Sequence, residues 1–505
     1  MHRIEKILLI NSPIRISSFY DVVSCQPMGL AYLASVLRDK YDVKILDAIA
    51  MGREQERYLR WNYVQCGLSA EQILQEVEKF QPDVVGASCL FSFQLPVIAE
   101  IFKLIKSKYP EIITVTGGTH PSFLPEDSLC RVPDLDYIVI GEAEESFPQS
   151  LEAIEKGSTF SHIDGIAWRE NGSVKVNPKT RFIENLDSIP FPAYDLLPMQ
   201  KYFEINVPFM FYSKSPRNTS FLTSRGCPFK CTFCSSCHYW GNRVRYRSLE
   251  NVLAEMRMLK EKFCIEELKF EEDNLLLNKE RAKKLFRAMI DEKFNFYWNM
   301  PNGAYIMALL DEELVKLMKE SGCYEVILAF ESGDQYVLDN IVHKPLDLSR
   351  AERAVQILKH YDIDIHAFFI IGFPGETREQ IKNTFRFARK MKIDKPYFFL
   401  FNPLPGSVLY QKCLEQKLIT PEQVFETNYY YNALTTSEFN PKLLRKWQYS
   451  YTILQNVFLL FQNPRKLFGK YLKRVLNRKN FRAVTKALRT AILSFLRSEK
   501  EARFN

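Results

Sequence analysis

Residues 224–234 read Ser-Arg-Gly-Cys-Pro-Phe-Lys-Cys-Thr-Phe-Cys, and this stretch decides how the rest of the chain is interpreted. It places Cys227, Cys231 and Cys234 in one short loop, directly after residues 219–223, which predict a strand. An iron–sulfur cluster needs thiolates that converge from such a loop. Three thiolates can bind one face of a four-iron cubane, so the fourth iron stays open to a substrate or a second cofactor.

The same loop also allows a structural zinc site. Cys237 and His238 follow closely and could complete a Cys-x-x-Cys-x-x-Cys-His set, which offers the four ligands that structural zinc usually has. The loop alone therefore leaves two kinds of metal site open, and the role of Cys237 depends on which of them forms.

Length and composition describe the chain in which this loop lies. With 505 residues, the chain is too long for one hydrophobic core and should form two or three domains. Hydrophobic residues at 46% and charged residues at 25% are ordinary for a globular protein. There is no run of about 18 apolar residues, and the N-terminal apolar run is too short for a signal peptide. We therefore expect a cytoplasmic protein without a membrane-spanning helix.

Residues 1–150 alternate short apolar strands with helical stretches, which predicts a doubly wound, Rossmann-like α/β domain. Ligands of such sheets bind at the carboxyl ends of the strands. No G-x-G-x-x-G follows the first strand, which argues against NAD or FAD. The expected strands are 7–10, 43–46, 84–87, 113–116 and 137–140.

The remaining chain predicts three further regions. Residues 151–212 form a connector that contains a β-hairpin centred on Asn171 and Gly172. Residues 213–430 alternate strands and helices again, which predicts a partial, TIM-like (β/α) barrel with its chemistry at the C-terminal ends of the strands. Residues 431–505 predict a basic helical C-terminal region.

The barrel region resembles the radical S-adenosylmethionine (SAM) superfamily in five segments that follow one another in that family's order. They are the cysteine loop, 270–274 (Phe-Glu-Glu-Asp-Asn), 329–333 (Ala-Phe-Glu-Ser-Gly), 370–377 (Ile-Ile-Gly-Phe-Pro-Gly-Glu-Thr) and 401–407 (Phe-Asn-Pro-Leu-Pro-Gly-Ser). Ala329 stands where the family has glycine. The resemblance implies a [4Fe–4S] cluster on Cys227, Cys231 and Cys234 that cleaves SAM reductively. It also implies SAM contacts at Phe233, Glu272, Asp273, Glu331 and Gly372.

The first region resembles the cobalamin-binding domain of cobalamin-dependent radical SAM enzymes, in residues 27–34, 117–121 and 141–144. The Asp-x-His-x-x-Gly motif that supplies a cobalt ligand in methionine synthase is absent, as is common in this subfamily. His120 is thus either a cofactor contact or a loop histidine with a local hydrogen bond. A degenerate domain without a corrin is the alternative. The resemblance implies cobalamin contacts at Asn11, Gly117, Gly118, Gly141 and Glu142.

The positive net charge of +8 belongs to the C-terminal tail. Residues 441–505 hold 16 Lys and Arg against 2 Glu, so they carry +14 and the preceding 440 residues carry −6. The apolar residues of 481–496 recur at helical spacing with basic residues between them. The tail predicts a helix packed on the barrel or, alternatively, contact with an anionic membrane surface. Nucleic-acid binding is less favoured because the rest of the chain is acidic.

The resemblance to these families implies a cobalamin-dependent radical SAM methyltransferase that acts on an unactivated centre of a small or lipophilic substrate. One alternative is a non-methylating radical SAM enzyme, such as an oxidative cyclase. Another, from a different class, is a non-catalytic zinc or corrinoid-binding protein. Reduction of the cluster implies an electron donor such as flavodoxin or ferredoxin. The membrane interpretation of the tail would place the enzyme at the membrane surface.

Overall fold

The computed structural model describes residues 3–17, 25–60, 63–206, 213–425 and 434–462. Within these ranges the chain forms two α/β regions that are joined by a connector. None of the described helices is both long and apolar enough to cross a membrane. The amphipathic pattern at 481–496 lies outside the described residues.

In its described residues, the first region contains ten strands and seven α-helices. Its strands are β1 (Lys6–Asn11), β2 (Ile14–Ser17), β3 (Asp42–Asp47), β4 (Glu56–Arg60), β5 (Tyr63–Cys66), β6 (Val84–Ser88), β7 (Ile113–Gly117), β8 (Tyr137–Val139), β9 (Ile166–Glu170) and β10 (Ser173–Asn177). Its helices are α1 (Met28–Leu37), α2 (Ala48–Met51), α3 (Ala70–Phe80), α4 (Leu95–Lys108), α5 (Thr119–Phe123), α6 (Pro125–Arg131) and α7 (Ser146–Lys156).

Seven of these strands form one sheet in the order β10-β9-β8-β7-β6-β1-β3, and the run from β8 to β3 is parallel. The central strand β1 is buried on both faces. Ile7 and Leu9 pack in the core that contains α1 and α7, while Leu8 and Ile10 pack in the core that contains α3 and α4. This explains why β1 is an uninterrupted apolar run. The doubly wound fold predicted from the sequence is confirmed.

The hairpin β9–β10 belongs to this sheet, whereas the sequence placed it in the connector. β9 pairs antiparallel with β8, and β10 pairs with β9 around Asn171 and Gly172. Ile166 and Ala167 of β9 are fully buried, so the hairpin closes one edge of the core. The sheet therefore runs to Asn177, past the domain boundary that we expected at residue 150. The separate antiparallel sheet β2-β5-β4 was not predicted.

The connector contributes one helix, α8 (Met199–Ile205), before the second region begins. The strands of that region are β11 (Asn218–Phe221), β12 (Ser224–Arg225), β13 (Arg245–Tyr246), β14 (Glu267–Phe270), β15 (Tyr297–Ala304), β16 (Cys323–Glu331), β17 (Asp364–Ile371) and β18 (Lys395–Leu400). Its helices are α9 (Ser236–Tyr239), α10 (Leu249–Phe263), α11 (Lys279–Asp291), α12 (Glu312–Glu320), α13 (Leu348–His360), α14 (Arg378–Met391), α15 (Val408–Glu415) and α16 (Pro441–Gln462).

Six of these strands form a parallel sheet in the order β11-β14-β15-β16-β17-β18. Among the described strands, β18 does not pair with β11, so the sheet is an open, partial barrel. Its two faces differ along β14. Leu268 and Phe270 belong to the hydrophobic core, whereas the alternating Glu267 and Lys269 are buried polar residues.

Two glutamine side chains cover backbone groups of the outermost barrel strands. Gln26 of the first region donates to the carbonyl of Asn218 at 3.0 Å and accepts from the N–H of Ser220 at 3.4 Å, both in β11. Gln448 of α16 donates to the carbonyl of Phe398 in β18. Strand edges expose unpaired N–H and C=O groups, so each amide satisfies part of an edge. Gln26 also joins the first region to the barrel.

Candidate active site between the two regions

A cavity of about 460 Å³ lies between the first region and the barrel. The carboxyl ends of β6, β7 and β8 form one wall, as expected for a doubly wound sheet. The cysteine loop and the segment after β14 form the opposite wall. One cavity therefore collects residues that the sequence assigned to two different cofactors. The predicted site residues that line it are Gly117, Gly118, Gly141, Glu142, Phe233, Cys234 and Asp273.

The cysteine loop follows β12 and is held in place by its backbone. Gly226 has a φ of 99°, and a Cβ atom there would lie 2.4 Å from the carbonyl oxygen of Arg243. Only glycine fits this position without a shift of the neighbouring chain. Further along the loop, the N–H of Thr232 donates to the carbonyl of Val342 at 2.9 Å. The barrel thus fixes the loop at both its start and its middle.

All three cysteines of the loop are partly buried free thiols. Burial raises the pKa of Cys231 to about 11 and that of Cys234 to about 12. It also raises the pKa of Cys227. The N–H of Ser236 lies 3.4 Å from Cys234 Sγ, where it donates a hydrogen bond to the sulfur. Metal binding to these residues must therefore displace protons, which couples cluster assembly to pH.

The zinc interpretation finds no support in the geometry. Cys237 is buried whereas His238 is exposed. In the described ranges, no three metal-ligating side chains are close enough to hold one metal ion. A [4Fe–4S] cluster makes a different demand, since its thiolates bind different iron atoms of a larger body. The donor set of Cys227, Cys231 and Cys234 fits that group.

Asp273 and Glu272 follow β14 and lie in different surroundings. Asp273 lines the cavity with Cys234, and burial raises its pKa. Glu272 instead accepts a hydrogen bond from Thr223 Oγ1 at 2.6 Å, and burial raises its pKa to about 7. Asp273 therefore lies at the cysteine loop. The carboxyl of Glu272 is instead hydrogen-bonded to a side chain of the barrel.

Glu331 ends β16 with a φ of 63°, a left-handed conformation that is uncommon for a residue with a side chain. Its Oε1 accepts from Nζ of Lys344 at 2.8 Å. Burial lowers the pKa of Lys344, but the charges of Glu331 and Cys231 outweigh burial and leave that pKa above its ordinary value. The sequence did not identify Lys344, which belongs to no motif. Only the position of this cation beside the cysteines in the structure points to its role.

Phe233 and the loop after β17 form the aromatic side of the site. The ring of Phe233 lies 6.0 Å from that of Phe373. Gly372 has a φ of 88°, and its N–H donates to Glu376 Oε2 at 2.7 Å. Burial raises the pKa of Glu376 to about 8, so this carboxyl is largely protonated at neutral pH. Gly372 itself is not among the residues that line the cavity.

On the side of the first region, several residues of the cavity wall are glycines, which have no side chain to project into the cavity. Gly118 has a φ of 107°, and a Cβ atom there would lie 2.7 Å from the carbonyl oxygen of Cys89. Gly29 also lines the cavity, and a Cβ atom there would stand in open space. No histidine is found among the described residues that line the cavity. A mostly apolar wall with exposed backbone fits a large planar ligand such as a corrin without a protein histidine on cobalt.

Two residues considered for this side have local partners instead. Asn11 donates from Nδ2 to Asp47 Oδ1 at 3.1 Å and does not line the cavity. His120 is buried, with Nδ1 2.9 Å from Ser92 Oγ. Of its two interpretations, the structure favours a histidine with a local hydrogen bond, although this histidine lies in α5 and not in a loop. Burial lowers the pKa of His120 to about 4, so the ring is neutral at pH 7.

Glu142 lines the cavity, but its carboxylate is engaged by the second region and the connector. It accepts from Arg225 Nη1 at 3.0 Å, from Arg245 Nη1 at 2.8 Å and from the N–H of Ile183 at 3.0 Å. Arg225 also donates to Glu144 Oε1 at 2.5 Å. All four charged side chains are at most 9% exposed. The sequence missed this network because neither arginine belongs to a recognised motif position.

Comparisons with known proteins identify the two α/β regions. Residues 22–151 match the model of the B12 binding domain, and residues 221–388 match that of the radical SAM superfamily. The chain is 34% identical to cytidylyl-2-hydroxyethylphosphonate methyltransferase of Streptomyces wedmorensis, over 83% of this chain and 84% of that protein. It is 27% identical to anaerobic magnesium-protoporphyrin IX monomethyl ester cyclase of Rubrivivax gelatinosus, over 95% and 80%. The structure of TsrM, a radical SAM methyltransferase from Kitasatospora setae, matches with a TM-score of 0.64 at 18% identity, over 82% and 76%.

The chain belongs to the family of radical SAM enzymes that carry a B12-binding domain. It is an enzyme whose cofactors are a [4Fe–4S] cluster, SAM and cobalamin. The predicted family, fold class and cofactors are thereby confirmed. The individual contact residues stay predictions, and the geometry above favours some of them over others.

Proposed function

We propose that this enzyme transfers a methyl group to an unactivated carbon or phosphorus of a small molecule. The observation that carries the proposal is the single cavity in which Cys234 and Asp273 face Gly117 and Gly141. Methyl transfer by this family needs the radical source and the corrin to share one water-poor space. The similarity to a phosphonate methyltransferase supports the same choice.

In this proposal each part of the chain has a defined task. When bound, the cluster and SAM supply radical chemistry and cobalamin supplies the methyl group. Cys227, Cys231 and Cys234 hold the cluster. Asp273 accepts hydrogen bonds from the ammonium group of SAM, because a buried carboxylate beside the loop suits a cation. The mostly apolar cavity wall limits the water in the space that the substrate shares with the cofactors, which reduces side reactions.

The test is anaerobic reconstitution followed by incubation with methyl-labelled SAM and dithionite. We expect 5′-deoxyadenosine, a bound corrinoid spectrum and transfer of the label to a product. Cytidylyl-2-hydroxyethylphosphonate is the first substrate to assay, with a small-molecule extract of the producing cells as the second. The Cys231→Ala variant is the control and should form no 5′-deoxyadenosine. An enzyme that binds no corrinoid would contradict the proposal.

The similarity to the anaerobic cyclase supports a second candidate, oxidative ring formation without methyl transfer. In that case 5′-deoxyadenosine would form while the methyl label stayed on methionine. Both candidates need a one-electron donor of the flavodoxin or ferredoxin type. Both also suit the reducing cytoplasm, where thiols remain available for a cluster. Contact of the basic tail with a membrane surface stays a prediction.

A further inference from the structure

Arg225 connects the cysteine loop to the first region. It lies two residues before Cys227, and its guanidinium donates to Glu142 and Glu144, in the loop between β8 and α7. These carboxylates are 83 and 81 residues away in sequence, so the contact exists only when the two regions are docked. The side chain of Arg225 is 7% exposed. Solvent and salt therefore screen the two ion pairs little.

Aromatic side chains complete this contact. The guanidinium carbon of Arg225 lies 5.1 Å from the ring centroid of Tyr32 and 5.3 Å from that of Trp240. The hydroxyl of Tyr239 donates to the carbonyl of Gly141 at 3.2 Å. All five of these residues line the cavity. The part of the cavity lining where the cysteine loop meets the first region is thus built around one arginine.

We propose that Arg225 is a positioning residue that sets the distance between the cluster and the corrin. This inference rests on the proposed function, because it requires both groups to be bound. A planar guanidinium that bridges two carboxylates fixes the angle as well as the separation of the loops that carry Cys227 and Glu142. Group transfer depends on holding the reacting atoms in a narrow range of positions. Arg225 meets that need through its contacts to Glu142 and Glu144.

The experiment measures the distance between the cobalt and the cluster. In the full-length enzyme with a reduced cluster and cob(II)alamin, both centres are paramagnetic, and pulsed EPR reports their separation. We expect Arg225→Lys and Glu144→Gln to lose the single narrow cobalt–cluster distance of the wild type. Hydrogen–deuterium exchange should show that the amides of 141–145 and 226–238 lose protection together. Cluster content, read from iron and sulfide, should stay unchanged in Glu144→Gln.

The matched control is Arg247→Lys. Arg247 is also buried, but it pairs with Glu255 of α10 and with the carbonyl of Leu222, both outside the first region. This control should keep the narrow distance. An unchanged distance and unchanged exchange in Arg225→Lys and Glu144→Gln would overturn the proposal, as would an equal loss in Arg247→Lys. Absence of corrinoid from the wild type would instead refute the proposed function, and the exchange data would still decide whether Arg225 docks the loops.

Discussion

The ammonium of Lys344 lies 2.8 Å from Glu331 Oε1, and this ion pair stands beside the cysteine loop. Both side chains are largely buried, at 17% and 10% exposed. A fixed positive charge at this place stabilises electrons on a neighbouring cluster, because reduction adds negative charge. The ion pair at the end of β16 is therefore placed to influence the reduction potential of a cluster at the cysteine loop.

Removal of this charge should lower the reduction potential of the cluster. We expect Lys344→Met to shift it on the order of 60 mV in the negative direction, equivalent to about tenfold for a one-electron couple. The measurement is an EPR-monitored redox titration of the reconstituted enzyme. Lys382→Met is the control, since Lys382 is 47% exposed and pairs with Glu379 on the surface. A potential that is the same in all three proteins would show that Lys344 does not act on the cluster.

The two carboxyl groups after β14 should respond differently to loss of their charge. Asp273→Asn should weaken SAM binding by roughly ten- to a hundredfold, since a hydrogen bond to a charged group is worth roughly 1.5–3 kcal/mol. Glu272→Gln should leave SAM affinity unchanged, because the amide oxygen still accepts from Thr223 and the residue does not face the cavity. Anaerobic equilibrium dialysis with labelled SAM measures both. The reverse order of effects would contradict the placement of these residues.

Cys237 tests whether a fourth cysteine participates in the cluster. We expect Cys237→Ala to retain iron and sulfide and to cleave SAM, because Cys237 lies in α9 outside the loop of three. Cys231→Ala should lose the cluster and all formation of 5′-deoxyadenosine. Metal analysis after anaerobic reconstitution separates the two variants. Equal loss of iron in both would mean that Cys237 is a ligand.

His120 should make the protein less stable as pH falls. Its pKa is about 4 in the folded chain against an ordinary value of 6.5, because burial disfavours the charged ring. Below pH 6.5 the unfolded chain takes up a proton that the folded chain refuses, so stability is lost progressively toward pH 4. Between pH 7 and pH 5 this amounts to roughly 2 kcal/mol.

Urea unfolding at pH 7 and pH 5 measures this dependence. The His120→Gln variant should lose that part of the difference between the two pH values. His162→Gln is the matched control, since His162 is exposed, and it should keep the wild-type dependence. If His120→Gln behaved like the wild type, the pH dependence would have to come from other groups.

The sequence predicted the strands whose periodicity was unambiguous. β1 and β6 are apolar runs buried on both faces, and such runs are visible without a structure. β15 was missed because Pro301 and Gly303 interrupt it, and both residues weaken a strand prediction. In the structure, the pairing of β15 with β16 shifts its register between Met300 and Ala304, which accommodates them.

Contact partners were harder to predict than elements. The sequence placed Glu142 near a strand end, and Glu142 does line the cavity there, but the partners of its carboxylate could not be predicted. The structure gives that carboxylate to Arg225 and Arg245, 83 and 103 residues away. Pairing at such separation depends on how the two regions dock, and no local pattern encodes it. For the same reason Lys344 could not be recognised, and Glu272 could not be told apart from Asp273.

The amide of Gln26 completes hydrogen bonds of β11, and this has a consequence for biosynthesis. Residue 26 leaves the ribosome nearly two hundred residues before Ser220, the strand residue that it binds. Until β11 has been synthesised, the amide of Gln26 lacks its strand partner and is hydrogen-bonded to water. Gln26 is thus one contact between the two regions that a chain ending before β11 cannot make. Truncated chains that end before β11 should be recognisable to cellular quality control by that unfinished surface.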